Sequence, residues 1–450
     1  MKKKLVASIM ATAMMTALLA GCGSSTSTAS TETAATTASG EAATATVADA
    51  GESNTESDVT LEWEVTATGD MVDVYQTLAD DFTSQTGIKI ELITPGSEYE
   101  TVMKTRMASG DLPDVWATHG WSVARYSEYL RPLNDQDWYN RIDEAILPVI
   151  SDDDGNIYCA PITEAFNTIT YNKDVFEKAG VDASKVLTWG EFTDACAKIK
   201  DSGVTPIFIG DKDSSTIAQL AESIPPAYLT LECVEDNQKE NLKNGSFSFE
   251  KYWTPINELI DGWMQSGYFN EDILTSDNDA ACQALAKGEC AMVFGGANNV
   301  VASQTYVPDA NLGYLACPGV NEDDTTFLSM GEGTCFGMWK DTEHEDECLK
   351  FLEYMSTPEV CEKMSTASGD IPGFSDVSNE DSYVTQQFRE LQKTYEGNIE
   401  YVPLFDREYL PSGMWDDLGV GLTKLVMDPG NAIEESTQYL QDAYDNKISE

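Results

Sequence analysis

From residue 59 onward, apolar positions recur at spacings typical of strands and of helices in turn. Between residues 70 and 86, Val74, Leu78 and Phe82 fall at every fourth position, which predicts an amphipathic helix. Gly87 follows and suits the left-handed end of such a helix. Around it, the pattern predicts strands at 59–66, 88–93 and 114–117 and a second helix at 98–108. This β-α-β-α-β order implies an α/β fold with a largely parallel sheet.

The alternation continues to the end of the chain. A helix predicted at 188–200 opens with Thr188 followed by Glu191, the pattern of a capping box. The same reasoning predicts further helices at 246–266, 276–287, 345–355 and 432–444, and strands at 157–160, 204–210, 290–294, 311–317 and 335–339.

The N-terminus has a different pattern. Three lysines precede an apolar run at 5–20, and small residues lead into Cys22, as in an export signal. The ending Leu-Ala-Gly-Cys resembles the lipobox of bacterial lipoproteins, which implies cleavage after residues 1–21 and a lipid on the Cys22 sulfur. The alternative is a plain cleaved signal with an incidental cysteine. Residues 22–57 are rich in Ser, Thr and Ala and predict a flexible tether.

The net charge of the chain excludes some classes of binding partner. The 450 residues carry 27 Lys and Arg against 77 Asp and Glu, a net charge of −50, and loss of the leader would make it −53. Nucleic acid is excluded because its binding depends on neutralising phosphates with basic residues. A polybasic membrane contact is excluded for the same reason. An acidic surface favours a soluble monomer.

Cysteine and histidine usage gives no metal or cofactor site. Nine cysteines remain after Cys22, an odd number, and there is no Cys-x-x-Cys. Only two histidines occur, His119 and His344. Closely spaced Cys and His ligands, which a structural zinc site needs, are therefore missing. We expect the cysteines to be small buried hydrophobic residues. They are 159, 196, 233, 282, 290, 317, 335, 348 and 361.

Six short motifs occur in a characteristic order. They are Ser109–Val115, Gly155–Pro161, Tyr171–Gly180, Thr188–Phe192, Ala286–Met292 and Phe351–Glu359. In this order and spacing the set resembles the family 1 extracellular solute-binding proteins of ABC importers, a group that includes maltose-binding protein. The resemblance covers about residues 59–445.

The resemblance implies a fold: two α/β lobes joined by a hinge of several strands, the periplasmic-binding-protein-like clamshell of type II. The N-terminal lobe would be 59–165 plus 311–375, and the C-terminal lobe 166–310 plus 376–445. Ligands of open α/β sheets bind at the carboxyl ends of strands, and two lobes can close by hinge motion.

The resemblance also implies a function. It indicates a non-enzymatic receptor, lipid-anchored on the extracellular face of the cell membrane, that captures a small polar solute. The solute would be a sugar or oligosaccharide, delivered to the permease subunits of an ABC transporter. The alternative is an exported carbohydrate-active enzyme, because carboxylate pairs could serve a glycosidase. No Gly-x-Ser-x-Gly elbow occurs, however, and acids are too abundant for a pair to be informative. A surface adhesin is a third class, which the clamshell pattern disfavours.

Flat rings and hydrogen-bonding side chains after strand ends are the candidate sugar contacts. Trp121 follows the strand at 115–118 and is either a stacking platform or a core residue. Trp415 precedes a helix and resembles a position that often supplies stacking. Asn298 lies near the place where many sugar binders carry a tryptophan, so one platform is missing.

Four acids complete the candidates. Asp70 is either a ligand contact, as the family often has here, or a helix N-cap. Glu164 lies at the predicted first hinge crossing and is a ligand carboxylate or a solvent-facing hinge acid. Asp211 follows the strand at 204–210, where it is a contact or a loop acid beside Lys212. Glu332 lies between two glycines that would let backbone approach a ligand.

Overall fold

The computed structural model describes residues 58–67, 69–118, 120–212, 216–379 and 381–449. The side chains of Asp70 and Ser97 are not described. The predicted leader, the lipid site at Cys22, the tether and His119 lie outside the described residues. No helix within the described ranges is long and apolar enough to cross a membrane.

Twelve strands are present in the described chain. They are β1 Thr60–Glu64, β2 Lys89–Ile93, β3 Val115–Ala117, β4 Ala160–Pro161, β5 Thr163–Asn172, β6 Thr205–Ile207, β7 Cys290–Gly296, β8 Leu312–Leu315, β9 Thr326–Glu332, β10 Cys335–Met338, β11 Ile371–Pro372 and β12 Ile399–Pro403.

The α-helices number eighteen over the same ranges. They are α1 Asp70–Thr86, α2 Tyr99–Ser109, α3 Leu147–Ile150, α4 Lys173–Ala179, α5 Trp189–Asp201, α6 Gln219–Ser223, α7 Pro225–Leu229, α8 Lys239–Asn244, α9 Phe249–Tyr252, α10 Thr254–Gln265, α11 Asn278–Lys287, α12 Asn298–Tyr306, α13 Glu345–Met355, α14 Pro358–Ser368, α15 Tyr383–Thr394, α16 Phe405–Tyr409, α17 Met414–Met427 and α18 Ile433–Ile448.

The first sheet has the strand order β2-β1-β3-β10-β4. Its first three strands are parallel, as the β-α-β-α-β pattern predicts, and β10 is antiparallel to both neighbours. Trp63 of β1 anchors the core beneath it. Its ring lies edge-on to those of Tyr75 (5.1 Å), Phe336 (5.2 Å) and Phe351 (4.9 Å). The amphipathic face of α1 is thereby packed on the sheet.

The second sheet is built around β5. Its main order is β12-β9-β5-β7-β6, and β8 and β11 also pair with β5. Every pairing of β5 is antiparallel, whereas β12–β9 and β6–β7 are parallel. The ten residues of β5 are buried, except for the half-buried Ala165, so even its polar residues lie inside the protein.

The chain passes between the two sheets at neighbouring points. Ile162 links β4 to β5, and the backbone at 333–334 links β9 to β10. These two crossings are hydrogen-bonded, since the Ile162 amide donates to the Thr334 carbonyl at 2.9 Å. A third crossing, at β11, joins them, since the Gly373 amide directly after that strand donates to the Ile162 carbonyl at 3.2 Å. The predicted lobe boundaries stay predictions, but β8 and β9, within 311–375, belong to the second sheet.

Several local predictions are confirmed, and two are wrong. Helices α1 and α13 have the predicted bounds, and Thr188 and Glu191 form both bonds of the capping box. The helix predicted at 246–266 is broken at Trp253, because the proline that follows Thr254 starts a new helix. The strand predicted at 157–160 is reduced to β4 and one bridge from Ile157 to Ser151.

Eight of the nine cysteines after Cys22 are buried, as predicted, and Cys233 is exposed. All nine are free thiols. The eight buried ones fill core space as small hydrophobic residues.

Arg106 neutralises a buried carboxylate of the first sheet. Its guanidinium lies 3.0 Å from Glu64, which is fully buried, and also pairs with Glu62. Burial raises the pKa of Glu64, and the charge of Arg106 opposes that rise. Removing one partner of a buried pair leaves the other charge uncompensated.

We therefore predict that Arg106→Leu lowers the free energy of unfolding by about 3 kcal/mol. The matched control is Arg131→Leu, since Arg131 also pairs with two carboxylates, Asp135 and Glu345, which are 61% and 56% exposed. That control should cost less than about 1 kcal/mol. Urea unfolding measures both, and equal losses would contradict the assignment.

Candidate ligand-binding site

A cleft of about 730 Å³ lies between elements of the two sheets. The first sheet contributes α2 and the loop after β3, and the second contributes β5 and the segments after β7 and β12. Its side chains include Glu100, Trp121, Arg125, Phe166, Asn167, Gln219, Glu222, Asn298, Asp370, Asp406, Arg407 and Trp415. The loops that follow β3, β7 and β12 reach it from the carboxyl ends of those strands, as expected for α/β sheets.

Trp121 contributes an aromatic ring to the cleft on the first-sheet side. It is half-buried, and the guanidinium of Arg125 lies 3.7 Å from its ring centroid. Arg125 in turn lies 3.9 Å from the Glu100 carboxylate, and Tyr126 meets the Trp121 ring edge-on at 6.4 Å. These contacts fix the plane of the indole before a ligand arrives.

Glu332 holds the loop that carries Trp121. Its carboxylate accepts hydrogen bonds from the amides of Gly120 and Ser122, both at 3.1 Å. The hydroxyls of Thr118 and Ser122 also donate to it. Glu332 ends β9 in the second sheet, so a carboxylate of one sheet fixes a loop of the other. Its oxygens are thus used by the protein itself, and Glu332 does not line the cleft.

Two acids that sequence reasoning missed line the cleft, the buried Glu222 and the half-buried Asp370. Burial raises the pKa of Glu222 well above its usual value, and the nearby Asp406 raises it further. The Glu222 carboxyl accepts from the amides of Phe405 and Asp406, each at 2.9 Å. Burial also raises the pKa of Asp370 to about 6. In the neutral form such carboxyls can donate as well as accept hydrogen bonds.

Two predicted acids lie outside the cleft. Glu164, only 1% exposed, lies in the ladder between β5 and β9, and burial raises its pKa well above the usual range. Asp211 is buried and accepts a hydrogen bond from the Thr423 hydroxyl at 2.7 Å. The expectation that Glu164 is a solvent-facing hinge acid is wrong, because the sheet encloses it.

Asn298 and Trp415 share the cleft with Trp121. Asn298 begins α12 and is exposed, and Trp415 lies half-buried in the first turn of α17. For Asp70 the structure describes only the backbone, which begins α1 with Gly69 at the N-cap position. The structure thus brings three predicted residues together and places Glu164, Asp211 and Glu332 elsewhere.

One group of possible metal ligands occurs in the described chain. The ligand atoms of Cys159, Glu332 and Cys335 lie within 4.8 Å of one another, and all three residues are buried. Burial raises the pKa of both thiols, which opposes the thiolate that a metal requires. The Glu332 oxygens already accept hydrogen bonds from residues 118–122. We interpret this group as packed core under the Trp121 loop.

Two sheets joined by adjacent crossings, with a polar and aromatic cleft between them, define a two-lobed solute-binding receptor. The chain belongs to the bacterial extracellular solute-binding protein family, whose sequence model matches residues 77–389. That family acts outside the cytoplasmic membrane, in the extracellular or periplasmic space. Its members bind solutes and are not enzymes, which confirms the prediction of a receptor.

Individual proteins of known sequence or structure are also similar to this chain. The melibiose/raffinose/stachyose-binding protein MelE of Bacillus subtilis is 27% identical over 360 residues, 79% of this chain and 82% of MelE. A Bacillus subtilis protein crystallised in an open conformation superposes with a TM-score of 0.80 and 27% identity, covering 87% of this chain and 98% of that one. A sugar transporter from Bacillus licheniformis, solved with stachyose, gives a TM-score of 0.72 and 28% identity, with coverage of 86% and 100%. The predicted two-lobed α/β fold is confirmed.

A substitution of Glu332 tests whether its carboxylate holds the loop that carries Trp121. We predict that Glu332→Ala makes the amides of residues 120–122 exchange about tenfold faster, since loss of these bonds costs at least about 1.4 kcal/mol. Hydrogen-exchange mass spectrometry on peptides spanning 118–126 measures this. The control is Asp211→Ala, which removes a buried carboxyl bonded to Thr423. Unchanged protection in the Glu332 variant would show that the loop holds itself.

Proposed function

We propose that this protein is the receptor of an ABC importer for an oligosaccharide, held on the extracellular face of the cell membrane by a lipid on Cys22. The observation that carries the proposal is the cleft, which places Trp121 and Trp415 together with amide, carboxyl and guanidinium groups.

The cleft has the two properties that sugar recognition needs. Indole rings can pack against the C–H faces of a sugar ring. Asn167, Gln219 and Asn298 can each donate and accept hydrogen bonds, which is the way a hydroxyl also bonds. A missing hydroxyl would leave such a group unpaired in the closed site, at a cost of about 1–3 kcal/mol.

The adjacent crossings support hinge closure. All three lie side by side near 162, 334 and 373, so a small rotation of their backbone could move one sheet with its helices toward the other. Trp121 belongs to the first sheet's side and Trp415 to the second's. Closure would bring the two rings onto the same ligand.

The relatives support an oligosaccharide as the solute. MelE is named for melibiose, raffinose and stachyose, and the Bacillus licheniformis structure holds stachyose. We therefore propose a ligand of this kind, with Trp121, Asn298 and Trp415 among its contacts. Glu332 acts by positioning Trp121. Asp70, Glu164 and Asp211 are not needed for this proposal.

The N-terminus supports the anchor and the partner. Lipid on Cys22 would keep a monomeric receptor within the length of the 22–57 tether of the membrane. The permease subunits of an importer lie in that membrane and would receive the sugar.

Isothermal titration with melibiose, raffinose and stachyose tests the proposal. We predict that the wild-type protein binds at least one of them without forming products. Trp121→Ala and Trp415→Ala should each raise Kd about tenfold, because each removes a buried ring contact. Trp339→Ala is the control, since Trp339 is also half-buried but lies outside the cleft. No binding of any of the sugars, or full affinity in both cleft variants, would contradict the proposal.

A further inference from the structure

The cleft continues past Trp415. A second cavity of about 240 Å³ shares Gln219, Asn298 and Trp415 with the main cleft. Beyond them it is lined by Thr216, Asn278, Phe294 and Asn299. We call this space, with these seven side chains, the amide chamber. At the liquid volume of water it corresponds to about eight molecules, which is room for one sugar ring.

The amide chamber differs in charge from the main cleft. None of the described residues that line it carries a formal charge, whereas carboxyl and guanidinium groups such as Asp406 and Arg407 line the main cleft. Phe294 and Trp415 are aromatic, and of the other five side chains four are carboxamides and one carries a hydroxyl. Each of these groups can donate and accept hydrogen bonds. The chamber therefore matches a neutral, hydroxyl-rich group better than an acid or an amine.

The amides are held in place by the protein. Asn278 donates to the Asn299 side-chain oxygen at 3.3 Å, and buried Asn299 donates to the Phe294 carbonyl at 3.3 Å. The Gln219 oxygen accepts from Asn167, whose own oxygen accepts from Ser223 at 2.9 Å. Groups that are ordered in advance lose little side-chain entropy when a ligand binds.

Two glycines keep the wall of the chamber thin. Gly295 has φ of +133°, and a Cβ there would lie 2.6 Å from the Asn299 side-chain nitrogen. A Cβ on Gly296 would lie 2.1 Å from the Phe166 carbonyl oxygen of the paired strand. Any side chain at either position would disturb the strand pairing or the Asn278–Asn299 arrangement. The backbone itself therefore forms this wall.

We infer that the amide chamber is a subsite for one terminal neutral sugar unit of a longer oligosaccharide. This inference rests on the proposed function. The units nearer Trp121 occupy the main cleft, and the chain runs past Trp415 into the chamber. A disaccharide occupies the main cleft only, whereas a tetrasaccharide also reaches Asn278.

The test is the chain-length dependence of affinity, measured by isothermal titration with melibiose and stachyose. Wild-type protein should bind stachyose more tightly than melibiose. Asn278→Ala should weaken stachyose binding about tenfold and leave melibiose within twofold. Asn278→Asp, which keeps the size of the side chain but adds a charge, should weaken stachyose binding more. The Asp277 side chain caps α11 through the Ala280 amide, so both variants keep the helix start.

Two controls separate this inference from the proposed function. Trp121→Ala should weaken both sugars, and Gln438→Ala, which removes an exposed amide bonded to Asp442, should weaken neither. If wild-type protein binds no sugar, the proposed function fails and the chamber assignment fails with it. If wild-type protein binds sugars but Asn278→Ala weakens both equally, or neither, only the chamber assignment is overturned.

Discussion

The candidate site depends on one buried carboxylate, that of Glu332. A carboxylate taken out of water is costly unless donors replace its hydration. Here the amides of Gly120 and Ser122 and the hydroxyls of Thr118 and Ser122 supply those donors. Glu332 belongs to the strand that leaves the second sheet for the first, so the same residue lies at a crossing and fixes the Trp121 loop. Glu332 therefore ties the position of the Trp121 ring to the proposed hinge.

Much of the fold could be predicted because its elements are local. The apolar stripe of α1, the capping box of α5 and the parallel strands of the first sheet follow from spacing and end signals. The centre of the second sheet could not be predicted in this way. Strand β5 is buried along nearly its whole length although six of its ten residues are polar, and its partners β7, β8 and β9 are far away in sequence. Its pairing is set by tertiary contacts that no local window contains.

In the candidate site, too, some residues could be predicted from the sequence and others could not. Trp121 could be predicted to line the cleft because it follows a strand end, whereas Asn298 and Trp415 were predicted chiefly from the family resemblance. Glu164, Asp211 and Glu332 have similar sequence settings, but their side chains turn into the protein, and sequence does not say which way a strand end faces. Glu222 and Asp370 were missed for another reason. One lies within the short helix α6 and the other between α14 and β11, where no strand-end rule applies.

The central claim is that an oligosaccharide binds between the two sheets, in contact with both tryptophans. A crystal structure of the protein with stachyose tests it most directly. We predict sugar rings within about 4 Å of the Trp121 and Trp415 indoles. We also predict that these two indoles lie closer together than in the ligand-free protein. Stachyose bound elsewhere, or in the cleft without touching either indole, would contradict it.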